Sequence, residues 1–237
     1  MPRSGRTPAR QSARTDGDDG AYPLAPKPEQ YYIPVDMNFC PTRGRPREFC
    51  TEQALTEALR LFWSKGYEGT SLSDLTEAMG ITRPSLYAAF GNKEALFRKA
   101  LDLYEREKLA YIGEAMQEVT ARGVARHLLE GAIENMCSAC GEPRGCLGVI
   151  SSMACGAEAE SIREEVLVRG RKAHAALIER MTRAREEGDL PAHIDPEGLT
   201  KFLTAILQGM AVQAGAGASR EDLQRLVDTS LELWPSR

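Results

Sequence analysis

The segment Thr70–Lys93, TSLSDLTEAMGITRPSLYAAFGNK, constrains the fold more than any other part of this chain. Ser71 is placed to cap a helix, with Asp74 three residues on in capping-box spacing. Leu72, Leu75, Ala78 and Met79 recur at the i, i+3, i+4 intervals of one helical face. Gly80 stands where a glycine stops a helix, and Thr82 can cap the next one. Pro84 falls in that second helix's first turn, where a missing N–H costs little. Two short helices closed on a three-residue turn, with a third starting at Asn92, predict a helix-turn-helix whose second helix fits a DNA major groove.

Composition supports a helical chain and narrows its function. Aromatic residues are few (6%), no Val/Ile run alternates as a half-buried strand would, and Ala, Leu, Glu and Arg are abundant. No apolar run approaches the roughly 18 residues that span a bilayer, so no membrane partner is expected. The N-terminus lacks the apolar stretch of a secretory signal, which predicts a cytoplasmic protein. The formal charge of −4 argues against non-specific coating of nucleic acid. Between Arg43 and Asp102 there are nine Lys and Arg against eight Asp and Glu, so the placement of charge has to carry any DNA attraction.

Along the chain, residues 1–41 are rich in Pro, Gly, Arg, Ser and Asp and are expected to be a disordered extension. A helix is predicted from Thr51 to Gly66, with Ala54, Leu55, Ala58, Leu59, Phe62 and Trp63 as its buried stripe. Phe62, Trp63, Leu75, Leu86, Phe90 and Phe97 are the predicted core of a small domain over residues 42–101. Residues 102–237 read as a second helical domain of six helices, with breaks near Arg122–Gly123, Gly141–Pro143, Gly156, Gly188–Pro191 and Gly215–Ala218.

The run from Gly44 to Leu101 resembles the DNA-binding domain of the TetR/AcrR family of bacterial transcriptional regulators. The resemblance rests on Ala58-Leu59 through Gly66-Tyr67 and Thr70, and on GITRPSLYAAFGNKEALF with Leu86-Tyr87, Phe90 and Lys93-Glu94. It implies that the helix from Thr82 to Phe90 enters the major groove, with Thr82, Arg83 and Ser85 at its exposed N-terminal side. Arg83 would then suit a bidentate guanine contact. Thr70, Tyr87 and Lys93 match phosphate-contacting positions, and Arg43, Arg45 and Arg47 resemble a basic arm reaching for the minor groove. The alternatives are Tyr87 as a core aromatic with a wet hydroxyl, Arg83 as a phosphate clamp, Thr70 as chiefly a helix-start residue, which a phosphate contact does not exclude, and the arginine arm as a solvated linker.

The resemblance assigns effector binding and dimerisation to the C-terminal part. Leu199, Phe202, Leu203, Ile206 and Met210, with Leu223, Val227 and Leu231, form apolar stripes expected at a homodimer interface, or else in the chain's own core. Cys137, Cys140, Cys146 and Cys155 cluster mid-chain. The Cys137/Cys140 pair lacks the second half of a zinc site, so neither metal nor cofactor is expected. Free thiols around a helical ligand pocket are the default reading, and a thiolate switch at Cys146 or its neighbours is the alternative. His127, His174 and His193 are scattered, with no catalytic motif beside them, so no enzyme is expected. The sequence thus predicts an all-α chain in which a helix-turn-helix domain precedes a ligand-binding and dimerisation domain. Its function would be that of a homodimeric repressor, released from a palindromic double-stranded operator by a small-molecule effector.

Overall fold

The computed structural model describes residues 50–137, 144–153, 156 and 159–235. The expected disordered extension, Arg43, Arg45, Arg47, Cys140 and Cys155 lie outside these residues. The described part belongs to one compact unit spanning Gly44–Arg237. It consists of ten helices and contains no strand: α1 Thr51–Lys65, α2 Leu72–Ala78, α3 Arg83–Phe90, α4 Lys93–Lys108, α5 Ala110–Ala115, α6 Ala121–Met136, α7 Leu147–Ser152, α8 Glu160–Glu186, α9 Pro196–Gly215 and α10 Arg220–Glu232. None of the described helices is long and apolar enough to cross a membrane.

The first four helices follow their sequence signals closely. Ser71 and Asp74 form the expected capping box on α2, Thr82 caps α3 through the Ser85 N–H, and Asn92 caps α4 through the Ala95 N–H. All six predicted core residues of this part are buried. Phe62 meets Phe97 edge to face at 5.0 Å, and Trp63 meets Tyr104 at 4.9 Å, which locks α1 onto α4.

The core of this head does not end where the sequence suggested. Leu103 and Tyr104 extend it along α4, and Leu147, Ala159, Ile162 and Val166 close it from α7 and α8. A boundary at residues 101–102 therefore falls inside α4, a helix that serves both parts. The second cluster joins α6 to α8, α9 and α10 through residues such as Leu129, Ile133, Met181, Leu203 and Val227.

Among the described residues six helices follow α4, and the break expected near Arg122–Gly123 lies earlier. Thr120 caps α6 through the Gly123 N–H, so Gly123 sits inside the first turn rather than in a loop. A Cβ at Gly123 would lie 3.0 Å from the Thr120 hydroxyl, so the glycine makes room for the cap. The same reason explains why glycine alone misleads here: its use was steric, not conformational.

Replacing Phe97 with alanine empties the centre of the head and is expected to cost about 3–5 kcal/mol. Denaturant unfolding of F97A against the parent at equal protein concentration measures it.

Candidate nucleic-acid interface

The α2–α3 turn is fixed by backbone hydrogen bonds. The Gly80 N–H donates to Glu77 O at 3.1 Å and the Ile81 N–H donates to Thr76 O at 3.0 Å, the paired pattern of a Schellman stop. Gly80 adopts φ +63°, which only glycine takes without strain. Leu75, Met79, Leu86 and Phe90 then face inward, which forces the other faces of α2 and α3 outward.

On that outer surface Thr82 and Arg83 are exposed and Ser85 is half-buried. The Thr82 and Ser85 hydroxyls lie 3.0 Å apart, and an Arg83 Nη2 donates to Ser73 Oγ at 2.8 Å. Tyr87 is 49% exposed, so its ring is not a core residue. Lys93 opens α4 with its Nζ 4.3 Å above the Tyr67 ring, a cation–π contact that holds the ammonium at the helix N-terminus. The structure thus brings Thr82, Arg83, Ser85, Tyr87 and Lys93 onto one stretch of chain around α3.

Thr70 is the exception. It is fully buried, and its hydroxyl donates to Gly66 O at 2.7 Å. Its side chain closes the α1–α2 connection and is not available to a phosphate, which corrects the phosphate-contacting role expected for it. The sequence could not separate these uses, since a threonine before a capped helix suits both.

Asp74 lies in the first turn of α2, as the partner of the Ser71 cap. Hydrogen bonds from the Ser71 backbone and hydroxyl, with Lys65 at 3.4 Å, hold its carboxyl below the ordinary aspartate range. A lowered folded pKa means that the cap's contribution is complete above the unfolded value and fades as pH falls through the folded one.

The expected dimer stripes are largely spent inside the chain. Leu199, Leu203 and Met210 of α9 and Leu223, Val227 and Leu231 of α10 are all buried, Ile206 is half-buried, and only Phe202 is exposed. At the six buried positions the side chains pack within the chain, the other reading that the sequence left open, and α10 turns its stripe against α6 and the core. Periodicity identified an apolar face but not which neighbour covers it. Outward apolar groups include Phe202 and Val212 on α9 and Val168 on α8, besides Val119, Met153 and, at the end of α10, Leu233; α8 packs directly on α9.

A cleft of about 660 Å³ lies between α4, α5 and α6. Charged and polar side chains including Glu107, Arg126, His127, Glu130 and Asn135 line it together with the Tyr111 ring, and apolar atoms make up the larger part of its surface. Gly131 admits that ring, because a Cβ there would sit 2.3 Å from it. His127 Nδ1 lies 2.9 Å from Glu118, His174 lies near Thr204, and His193 is exposed. Among the described residues no three His, Cys, Asp or Glu are grouped to hold a metal ion. Cys137 and Cys146 are free thiols, and the Tyr104 hydroxyl donates to Cys146 Sγ at 3.6 Å.

Residues 54–100 match the family model for the bacterial regulatory proteins of the tetR family, and residues 123–229 match that for the tetracyclin repressor-like C-terminal domain. The HTH-type transcriptional repressor ComR of Escherichia coli K12 is 37% identical over 196 residues, covering 82% of this chain and 93% of ComR. This chain belongs to the TetR family. The E. coli repressor BdcR is 28% identical over 76% of this chain and 86% of its own length. Among solved structures, a triple-cysteine mutant of the TetR family regulator CifR, complexed with 26-base-pair operator DNA, is 39% identical. It superposes with a TM-score of 0.75 over 81% of this chain and 100% of its own. TetR family proteins are transcriptional regulators.

Thr70→Val removes the donor to Gly66 O and is expected to destabilise the protein by about 1–3 kcal/mol. A phosphate-contacting role would instead weaken DNA binding with the unfolding midpoint unchanged. Asp74→Asn should lower the thermal midpoint near neutral pH, and the difference from the parent should shrink as pH falls below the ordinary aspartate value, read from melting curves across pH.

Proposed function

We propose that this TetR family chain is a cytoplasmic, non-enzymatic, homodimeric transcriptional repressor that reads a palindromic operator with α3. The observation that carries the reading is the outward cluster of exposed Thr82, Arg83 and Tyr87 with half-buried Ser85, on a helix whose opposite face, through Leu86 and Phe90, is fixed in the core. CifR bound to its operator supports DNA as the partner. ComR and BdcR, both repressors, support repression as the outcome.

Each contact has a defined role. Arg83 supplies a planar donor pair suited to guanine O6 and N7. Thr82 and Ser85 offer hydroxyls to neighbouring base edges or phosphates. The Tyr87 hydroxyl and the Lys93 ammonium meet the sugar–phosphate backbone, together with the N-terminal turn of α4. Arg43, Arg45 and Arg47 precede α1 and serve as the minor-groove arm.

One head of eight helical residues reads few bases, so a symmetric pair is needed for operator specificity. The dimer forms through the outward face of α8 and α9, where Val168, Phe202 and Val212 are exposed apolar side chains. The effector domain comprises the helices after α4, and a small-molecule effector releases the operator by favouring a different spacing of the two heads. The cleft between α4, α5 and α6 combines apolar surface and the Tyr111 ring with charged side chains, which suits an effector that has both an apolar part and hydrogen-bonding groups.

Arg83→Ala is expected to weaken binding to a specific duplex by about ten- to a hundredfold and to leave an unrelated duplex much less affected. Fluorescence anisotropy at matched salt makes the comparison. Equal losses would assign Arg83 to the phosphate backbone. Phe202→Asp with Val212→Asp should convert the dimer to a folded monomer in sedimentation velocity, and a retained dimer would move the interface elsewhere.

A further inference from the structure

Arg83 differs from most of the other arginines with a described partner in what holds it. Arg60, Arg98, Arg169, Arg220 and Arg225 each pair with a carboxylate. Arg83 is held instead by a neutral hydroxyl, Ser73 Oγ, at 2.8 Å. The distinction matters physically. A carboxylate would orient the guanidinium but also neutralise it, and DNA would have to compete with an ion pair. A hydroxyl orients the group and leaves its charge available.

The acceptor itself is well fixed. Ser73 lies in the first turn of α2, between the two members of the Ser71–Asp74 capping box. The Schellman stop at Gly80–Ile81 and the Thr82 cap set the angle between α2 and α3. The Arg83–Ser73 bond crosses that turn over ten residues of sequence. Arginine has five N–H donors, and this bond uses one of them on Nη2. Enough donors remain for a two-point guanine contact. A free arginine has more rotamer freedom to lose on binding than almost any other side chain, so tethering it beforehand lowers the cost of ordering.

We infer that Ser73 is a positioning residue for base recognition, orienting the Arg83 guanidinium between α2 and α3 without neutralising it. This inference rests on the reading that Arg83 contacts bases.

The test uses the full-length chain and a duplex selected from a random pool by the parent protein, with an unrelated duplex as reference. Ser73→Ala is expected to weaken binding to the selected duplex roughly three- to tenfold, the effect of one hydrogen bond, and to leave the unrelated duplex unchanged. Ser73→Thr, which keeps the hydroxyl, should restore affinity. In an Arg83→Ala background, Ser73→Ala should have no further effect, and its salt dependence should match that of Arg83→Ala alone. Ser73 is exposed, so the unfolding midpoint should stay unchanged in S73A. An equal loss from S73A with and without Arg83 would show that Ser73 meets DNA directly and would overturn the inference while leaving base reading by Arg83 intact. If Arg83→Ala weakens both duplexes alike, base reading fails and the positioning role fails with it.

Discussion

The aromatic lock between α1 and α4 is the contact on which the rest of the reading surface depends. Phe62, Trp63, Phe97 and Tyr104 are buried and meet edge to face across the two helices. Helices as short as α2 and α3, of seven and eight residues, do not persist alone in water. They hold their shape because Leu75, Leu86 and Phe90 close onto this platform. Tyr67 extends it, packing edge to face on Phe97 at 5.4 Å while carrying the Lys93 ammonium on its other side. Core packing and the presentation of a phosphate-seeking cation therefore share one ring.

The same helix ties the head to the rest of the chain. Beyond Leu101, α4 presents Asp102 and Glu105 to Arg169 of α8, each at 2.8 Å, and Glu165 joins Arg169 at 2.7 Å. Glu165 also reaches Arg98 at 2.8 Å, so two arginines and several carboxylates interlock α4 with α8. On the other side, the Trp63 indole N–H donates to Gly145 O at 3.2 Å. Gly145 has φ +88°, and a Cβ there would lie 2.9 Å from Ala211 O on α9. The segment thus needs glycine twice over, once for its backbone angle and once for its closeness to α9. Head and body are linked by packing, by charge and by a single backbone carbonyl, with α4 belonging to both.

What was legible in the sequence was local. Caps at Ser71, Thr82 and Asn92, the stop at Gly80 and the inward faces of α1 to α4 all depend on residues within a turn or two of each other. Each appears where its spacing put it, except that Ala78 of the predicted α2 face is exposed. The candidate interface was legible for the same reason, since Thr82, Arg83, Ser85 and Tyr87 lie on one short helix with one buried side. Thr70 was misread because its hydroxyl has a local carbonyl acceptor that competes with any external partner. Gly123 was misread because it relieves a clash inside a helix rather than ending one.

The sequence by itself determined an all-helical chain and a helix-turn-helix of defined polarity, because these follow from short-range periodicity and capping; the family was legible from the resemblance of its motifs. Tertiary structure alone decided how the apolar stripes were shared out. It sent Leu203, Met210, Leu223 and Val227 into the chain's own core and left Phe202 and Val212 facing outward. It also closed the head with residues from α7 and α8, and held Arg83 on Ser73 rather than on an acid. A stripe of leucines records that a face avoids water. Only the packing of distant helices decides what covers it.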